Sequence, residues 1–202
     1  MTGPLKKISL FCLLVLAPAA SGTAIEDYRP QMKSPPYKVF DTLLKTWQAK
    51  NYDGIKTVAD TFLPPFYAEI KKSYNVDLEA ELDAAVQSKD ERKTLASIQR
   101  QIFYDIKALF DLSVEQTDSG RAVGLLKTAY LNYDLMSPAV QKADFSADQM
   151  ARKMFQQAYY VAGSNSPYNN DSDPAEARKK GLKEITSRIE SLLIKTLPAL
   201  AS

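Results

Sequence analysis

Apolar residues recur at three- and four-residue steps along most of this sequence, a spacing that places them on one face of an α-helix. The longest uninterrupted helical pattern, without Gly or Pro, extends from Asp90 to Gln116. A helix of that length spans about 40 Å at about 1.5 Å per residue, so we expect the other helices to pack along it. Its predicted inward face consists of Leu95, Ile98, Ile102, Phe103, Ile106, Leu109, Phe110 and Val114.

Four shorter helical patterns precede this segment, with the ranges Tyr37–Asn51, Asp53–Phe62, Phe66–Tyr74 and Asp77–Gln87. Trp47 falls on the apolar face of the first pattern, and we interpret it as a core anchor whose indole N–H is hydrogen-bonded at the edge. Asp53 is the predicted N-cap of the second helix. Pro64 and Pro65 are expected to break or kink the chain after it, because proline removes a helical hydrogen-bond donor.

Three helical patterns follow the long one, from Arg121 to about Lys142, from about Ser146 onward, and from Ala175 to about Thr196. Pro138 is expected to kink the first of them in its last third. Ser146 and Gln149 form a capping-box pattern that predicts the start of the second helix, with Met150 facing inward. The polar loop 163–174 separates this helix from the last one.

No alternating apolar and polar run of convincing length predicts a β-strand. The predicted fold is therefore all-α, an up-and-down bundle of about five or six helices within a single domain at residues 37–202. Residues 25–36 contain Pro30, Pro35 and Pro36 and little apolar periodicity. We expect them to form an extended lead-in to the bundle.

The N-terminus has the pattern of a secretory signal peptide, which we assign to residues 1–24. Lys6 and Lys7 precede the apolar run Ile8–Leu16, and small residues follow it to Ala24. The apolar run is too short for a permanent membrane anchor. We therefore expect an exported, periplasmic protein of a bacterium, without stable membrane insertion once the signal peptide is cleaved.

Composition excludes several classes of site. The chain has no His, and its only Cys is Cys12 within the predicted signal peptide. A Ser-His-Asp triad, a His-based zinc site, a His-ligated haem and a disulfide framework are therefore excluded from the exported chain. Removal of Lys6 and Lys7 takes the formal net charge from +2 to about 0, so nucleic acid is not an expected partner. We interpret the protein as non-enzymatic.

Tyrosine is unusually frequent, with 11 residues, and several tyrosines share helix faces with carboxylates. Tyr130 and Tyr133 fall on the apolar stripe of their helix, Asp134 lies at its edge, and Asp105 is predicted at the corresponding edge of the long helix. These oxygen ligands suit a hard cation such as ferric iron, or a small polar ligand. The alternative is that the tyrosines are core residues whose hydroxyls reach the surface or bond to Asp105 and Asp134.

The polar loop offers a second, weaker metal pattern. Its segment 169–173 has oxygen-bearing side chains at alternate positions, but it lacks the Gly and the terminal Glu of an EF-hand loop. Asp173 followed by Pro174 is better explained as the N-cap and first residue of the last helix.

The segment Ala129–Val140, AYLNYDLMSPAV, resembles a helix found in periplasmic domains of bacterial iron-uptake systems, the imelysin-like and iron-permease-associated group. The resemblance covers this helix and a small part of the chain. It implies an exported helical bundle that handles iron through carboxylate-rich sites. The sequence departs from that group because it has no His and has Asp134 where Glu is frequent.

Two functions follow from these patterns. The first is an exported, non-enzymatic bundle that binds a metal ion, such as ferric iron, or a small ligand through Asp105, Tyr130, Tyr133 and Asp134. The alternative is a periplasmic interaction or scaffold module without a small-ligand site, whose partner is a periplasmic or inner-membrane protein.

Overall fold

The computed structural model describes residues 24–163 and 174–201. Within these ranges the chain is helical, with eight α-helices and no strand, so the all-α prediction is confirmed. The expected number of five or six helices is not confirmed, because each of the eight helical patterns forms a separate helix in the described residues. The helices are α1 (Pro36–Gln48), α2 (Tyr52–Phe62), α3 (Pro64–Tyr74), α4 (Leu78–Gln87), α5 (Glu91–Glu115), α6 (Ser119–Ala143), α7 (Phe145–Ala162) and α8 (Pro174–Thr196).

Three predictions concern residues outside the described ranges. They are the signal peptide predicted over residues 1–24, of which 1–23 lie outside, the calcium-type pattern at 169–173, and Asp173 as the N-cap of α8. Each of them stays a prediction.

The four long helices α5, α6, α7 and α8 form a bundle in which each contacts the next and α8 contacts α5. Residues 116–118 join α5 to α6, and Asp144 alone joins α6 to α7. The pairs Lys107–Glu190 and Lys179–Glu115 show that α5 and α8 run antiparallel, because the residue number rises in one helix as it falls in the other. This is the up-and-down arrangement expected from short connections.

The long helix α5 is the centre of the fold. Besides its bundle neighbours it contacts α1, α3 and α4, which form a second layer with α2. Asp90 caps its N-terminus by accepting hydrogen bonds from the backbone N–H groups of Arg92 and Lys93. Asp105, predicted at the edge of this helix, is fully buried. The predicted edge position is wrong because helices pack on nearly every side of α5 and cover Asp105.

Two predicted helix starts are wrong for the same reason. Asn51, not Asp53, caps α2, since its side chain accepts a hydrogen bond from the Gly54 backbone. Asp144, not Ser146, caps α7 through the Ala147 backbone. In both cases the sequence offers two cap-forming residues two positions apart, and the structure uses the earlier one. Met150 of α7, predicted to face inward, is 53% exposed.

The predictions for Trp47 and for the break at Pro64 agree with the structure, and the kink at Pro138 stays a prediction. The indole N–H of Trp47 donates a hydrogen bond to the Glu91 carbonyl at 3.0 Å. The chain breaks between α2 and α3 at Pro64, which begins the new helix. Pro138 lies inside α6, which continues through it.

The lead-in segment, residues 24–35, is docked on the bundle. Tyr28 is 2% exposed and its ring lies 5.4 Å from that of Phe66 in α3. The Glu26 backbone N–H donates a hydrogen bond to the Glu69 carboxylate at 2.8 Å. None of the helices in the described ranges combines the length and hydropathy that crossing a membrane requires.

Candidate functional site

Arg152 on α7 lies at the centre of a polar network along the seam with α6. Its guanidinium donates to the Tyr130 hydroxyl at 2.5 Å and to the Asp134 carboxylate at 3.0 Å. The same group donates to Ser137 at 2.8 Å and to Asp148 at 3.1 Å. One guanidinium thus connects two helices through four side chains.

Asp148, also on α7, is the buried partner in this network. Its carboxylate accepts hydrogen bonds from Tyr133 at 2.5 Å, from Ser137 at 2.7 Å and from Gln141 at 3.0 Å. Burial alone would raise the pKa of Asp148, but these hydrogen bonds and the one from Arg152 outweigh it and lower the pKa to about 2. Burial and the Asp148 charge raise the pKa of Tyr133. The network therefore holds an ionised carboxylate and a neutral phenol at neutral pH.

Asp105 belongs to a second group, between α5, α6 and the lead-in segment. Its carboxylate accepts hydrogen bonds from the Tyr28 hydroxyl and from the Asn132 side-chain amide. Burial raises the pKa of Asp105 to about 6, although these hydrogen bonds and the charge of Arg29 oppose the shift. Asn132 and Tyr133 are consecutive on α6, and they bond to carboxylates on opposite neighbouring helices.

The structure thus brings together three of the four residues predicted to hold a metal. Tyr130, Tyr133 and Asp134 share the Arg152–Asp148 network, whereas Asp105 is bonded elsewhere. The guanidinium of Arg152 already supplies a positive charge beside these oxygen atoms. Among the described residues, no group of three or more His, Cys, Asp or Glu side chains could hold a metal ion.

A cleft of about 680 Å³ opens between α3, α5 and α8. The Tyr74 hydroxyl donates to Asp111 at 2.5 Å, and the ammonium of Lys107 lies 5.3 Å from the Tyr74 ring centre. Lys107 also donates to Glu190 at 3.0 Å. Ala24 and Ile25 of the lead-in segment line one side of the cleft. Three helices therefore place polar groups along this cleft that are joined by hydrogen bonds and ion pairs, and the lead-in segment adds apolar side chains to its wall.

The cleft carries both signs of charge. Lys107, Lys179 and Lys183 supply the positive groups, and the negative ones are Asp111, Glu115 and Glu190. Burial alone would lower the pKa of Lys107, but the charges of Glu190 and Asp111 outweigh it and raise the pKa. Burial also raises the pKa of Glu190, against the attraction of Lys107.

Comparisons of this chain with protein-family models, with curated proteins and with solved structures find no match. The resemblance of Ala129–Val140 to periplasmic iron-uptake domains therefore stays a prediction.

Sequence reasoning missed Arg152 and Asp148, although their spacing of four residues on one helix is a recognisable ion-pair pattern. It also missed Tyr28, because no local pattern distinguishes a buried tyrosine in an irregular segment from an exposed one. The cleft was missed as well, since it needs α3 and α8 to meet on the two sides of α5. Only tertiary structure supplies that information.

Proposed function

We propose that this chain is an exported, non-enzymatic binding protein whose ligand occupies the α3–α5–α8 cleft. The cleft volume carries the proposal, since about 680 Å³ falls within the usual range of small-molecule sites. Its polar side chains converge from three helices, so a ligand would be held by groups on rigid elements.

The charge pattern favours a small molecule with both charge signs, such as a free amino acid. Lys183 is exposed at the rim and forms no ion pair with any residue that the structure describes, so it is available to an anionic group. Asp111 and Glu190 line the same cleft and suit an ammonium group. Asp111 and Glu190 already contact Tyr74 and Lys107, so a ligand ammonium group would share these carboxylates with them.

The lead-in segment supports the proposal because it completes the wall of the cleft. Ile25 lines the cleft, and Glu26 and Tyr28 attach the segment to α3 and α5. Cleavage of the predicted signal peptide after residue 24 would place the new N-terminus beside this wall.

The direct test is a thermal-shift panel of free amino acids and neutral polyols on the protein recovered from the periplasm. A ligand at about 100 times its Kd stabilises the folded state by about 2.7 kcal/mol. We expect at least one amino acid to raise the midpoint in the parent and in Lys127→Gln, an exposed control on α6. Lys183→Gln, at the rim, should lose most of that rise without loss of stability.

Two results would contradict the proposal. One is a panel without any shift, and the other is an equal shift in the parent and in Lys183→Gln. The intact mass of the same sample tests export, because removal of residues 1–24 leaves a chain that begins at Ile25.

A second candidate is the interaction module. The observation that favours it is the exposure of Phe145 at 60%, Met150 at 53% and Tyr160 at 55%, all on α7. Large apolar side chains in contact with solvent are typical of docking surfaces when they lie close together. Substitution of Met150 and Tyr160 by Gln would abolish binding of a partner protein and leave amino-acid binding in the cleft unchanged.

A further inference from the structure

A second cleft, of about 460 Å³, lies between α4 and α5. Each helix lines it with residues at positions i, i+3, i+4 and i+7, the spacing of one helix face. Four alanines occupy places where large apolar residues would normally close such a seam, and Ala199 of the C-terminal turn is one of them. The lining residues are Glu81, Ala84, Ala85 and Ser88 from the α4 side, Lys93, Ala96, Ser97 and Arg100 from α5, and Ala199.

Two hydrogen-bonding atoms at this cleft are buried and have no partner among the residues that the structure describes. They are the Ser97 hydroxyl, in a residue that is 8% exposed, and the Nε–H of Arg100. Ser97 and Arg100 are three residues apart on the same face of α5. A buried donor without an acceptor is destabilising, so both atoms are suited to a group that brings acceptor oxygens.

The rest of the Arg100 guanidinium is already oriented. Its Nη1 lies 2.7 Å from the Glu81 carboxylate, and its central carbon lies 5.7 Å from the centre of the Tyr104 ring. These contacts hold one edge of the guanidinium and leave the edge with Nε unpaired. The exposed ammonium of Lys93 adds a second positive charge at the cleft, against the single negative charge of Glu81.

We propose that the α4–α5 cleft binds small carboxylates with a short aliphatic body. The carboxylate accepts hydrogen bonds from the Nε–H of Arg100 and the hydroxyl of Ser97, and Lys93 contributes charge at the rim. The aliphatic body lies against the methyl groups of the alanines. Because neither donor atom contacts solvent in this conformation, entry of the carboxylate is accompanied by rotation of the Ser97 or Arg100 side chain between staggered rotamers.

Titration of the ¹⁵N-labelled full chain with sodium butyrate at constant ionic strength tests this site by NMR. The side-chain Nε–H resonance of Arg100 is the readout, because it reports on the proposed hydrogen bond directly. We expect a saturable shift with butyrate and none with n-butylammonium, which has the same aliphatic body and no acceptor oxygens. Acetate should bind more weakly than butyrate, because it has less apolar surface to bury.

Variants separate recognition from folding. Ser97→Ala and Arg100→Lys should each weaken butyrate binding about tenfold, which corresponds to the loss of a hydrogen bond to a charged group. Ser97→Ala should not lower the thermal midpoint and should raise it if anything, because the buried hydroxyl has no partner among the described residues of the unliganded protein. Arg92→Lys, at an exposed position on α5, is the matched control and should bind like the parent. The proposal is overturned if no saturable shift occurs, if n-butylammonium produces the same shift, or if both cleft variants bind like the parent.

Discussion

The hydroxyl of Tyr28 donates a hydrogen bond to the carboxylate of Asp105, across a sequence separation of 77 residues. Both side chains are buried, at 2% and 0% exposure. Asn132 on α6 donates to the other oxygen of the same carboxylate. The contact therefore joins the lead-in segment to the two helices at the centre of the fold.

Tyr28→Phe should lower the free energy of unfolding by about 1–3 kcal/mol, the cost of leaving a buried polar group with an unmade hydrogen bond. The ring and its packing against Phe66 are kept, so the change isolates the hydroxyl. Urea unfolding at pH 7 measures the difference. Tyr37→Phe on α1 is the control and should change stability by less than about 0.5 kcal/mol, as typical surface substitutions do. Equal stabilities of parent and Tyr28→Phe would contradict the assigned hydrogen bond.

Asp105 should make stability fall as pH rises from about 4 to about 7. Its pKa in the folded state is raised from 3.8 to about 6, so the folded state binds more protons than the unfolded state in this window. Proton binding then favours the folded state below pH 4, and the contribution is lost as pH rises through 6. Its size is on the order of 3 kcal/mol.

Asp105→Asn provides the comparison, because the amide does not titrate. The unfolding free energy of the parent minus that of the variant should decrease from pH 4 to pH 7 and stay constant above. Asp27 and Arg29 are the other charged groups that act on Asp105, and both are present in the two proteins. A difference that does not change with pH would show that Asp105 titrates normally in the folded state.

Two glycine-to-alanine substitutions should change stability in opposite directions. A Cβ at Gly54 would lie 2.5 Å from the Asn51 side-chain nitrogen and 2.9 Å from a Thr46 methyl group. Gly54→Ala should therefore disrupt the N-cap of α2 and cost about 1 kcal/mol. A Cβ at Gly124 would meet nothing within 4 Å, so Gly124→Ala should stabilise α6 by about 0.5–1 kcal/mol. The two unfolding midpoints in urea check both signs, and a stabilised Gly54→Ala would contradict the position of Asn51.

Ferric citrate should leave the thermal midpoint of the protein unchanged. A cation at Tyr130, Tyr133 and Asp134 would have to displace the guanidinium of Arg152 and would be repelled by its charge. The ferric-iron hypothesis makes the opposite prediction, a rise in midpoint that Tyr133→Phe and Asp134→Asn abolish. Titration of the parent and of the two variants with ferric citrate distinguishes the two expectations.

The helices were predictable because their apolar periodicity is a local property, and α5 was expected within one residue at each end. Side-chain environments that depend on a partner far along the chain could not be predicted in this way. Asp105 was expected at the edge of α5 from its position on the helical wheel, beside the apolar stripe. Its burial depends on donors from Tyr28 and Asn132, which no local pattern of α5 can supply.

The candidate sites show the same limit. Tyr130, Tyr133 and Asp134 were grouped from one helix, and they do meet in one network. Their shared partner Arg152 comes from α7, and it changes the network from one suited to a cation into one that already holds a positive charge. Two predicted helix starts were wrong by two residues. The choice between Asn51 and Asp53, for example, depends on backbone angles that both residues permit.

The contact between Tyr28 and Asp105 can be completed only after α6 has been synthesised, because Asn132 is part of it. Tyr28 leaves the ribosome long before Asp105 and Asn132 are synthesised, and it has no buried carboxylate to bind until α5 and α6 have paired. Contacts between such distant residues form late, because the loop between them must close first. A nascent chain that ends before Asn132 therefore lacks part of its core, and its N-terminal segment stays exposed to solvent.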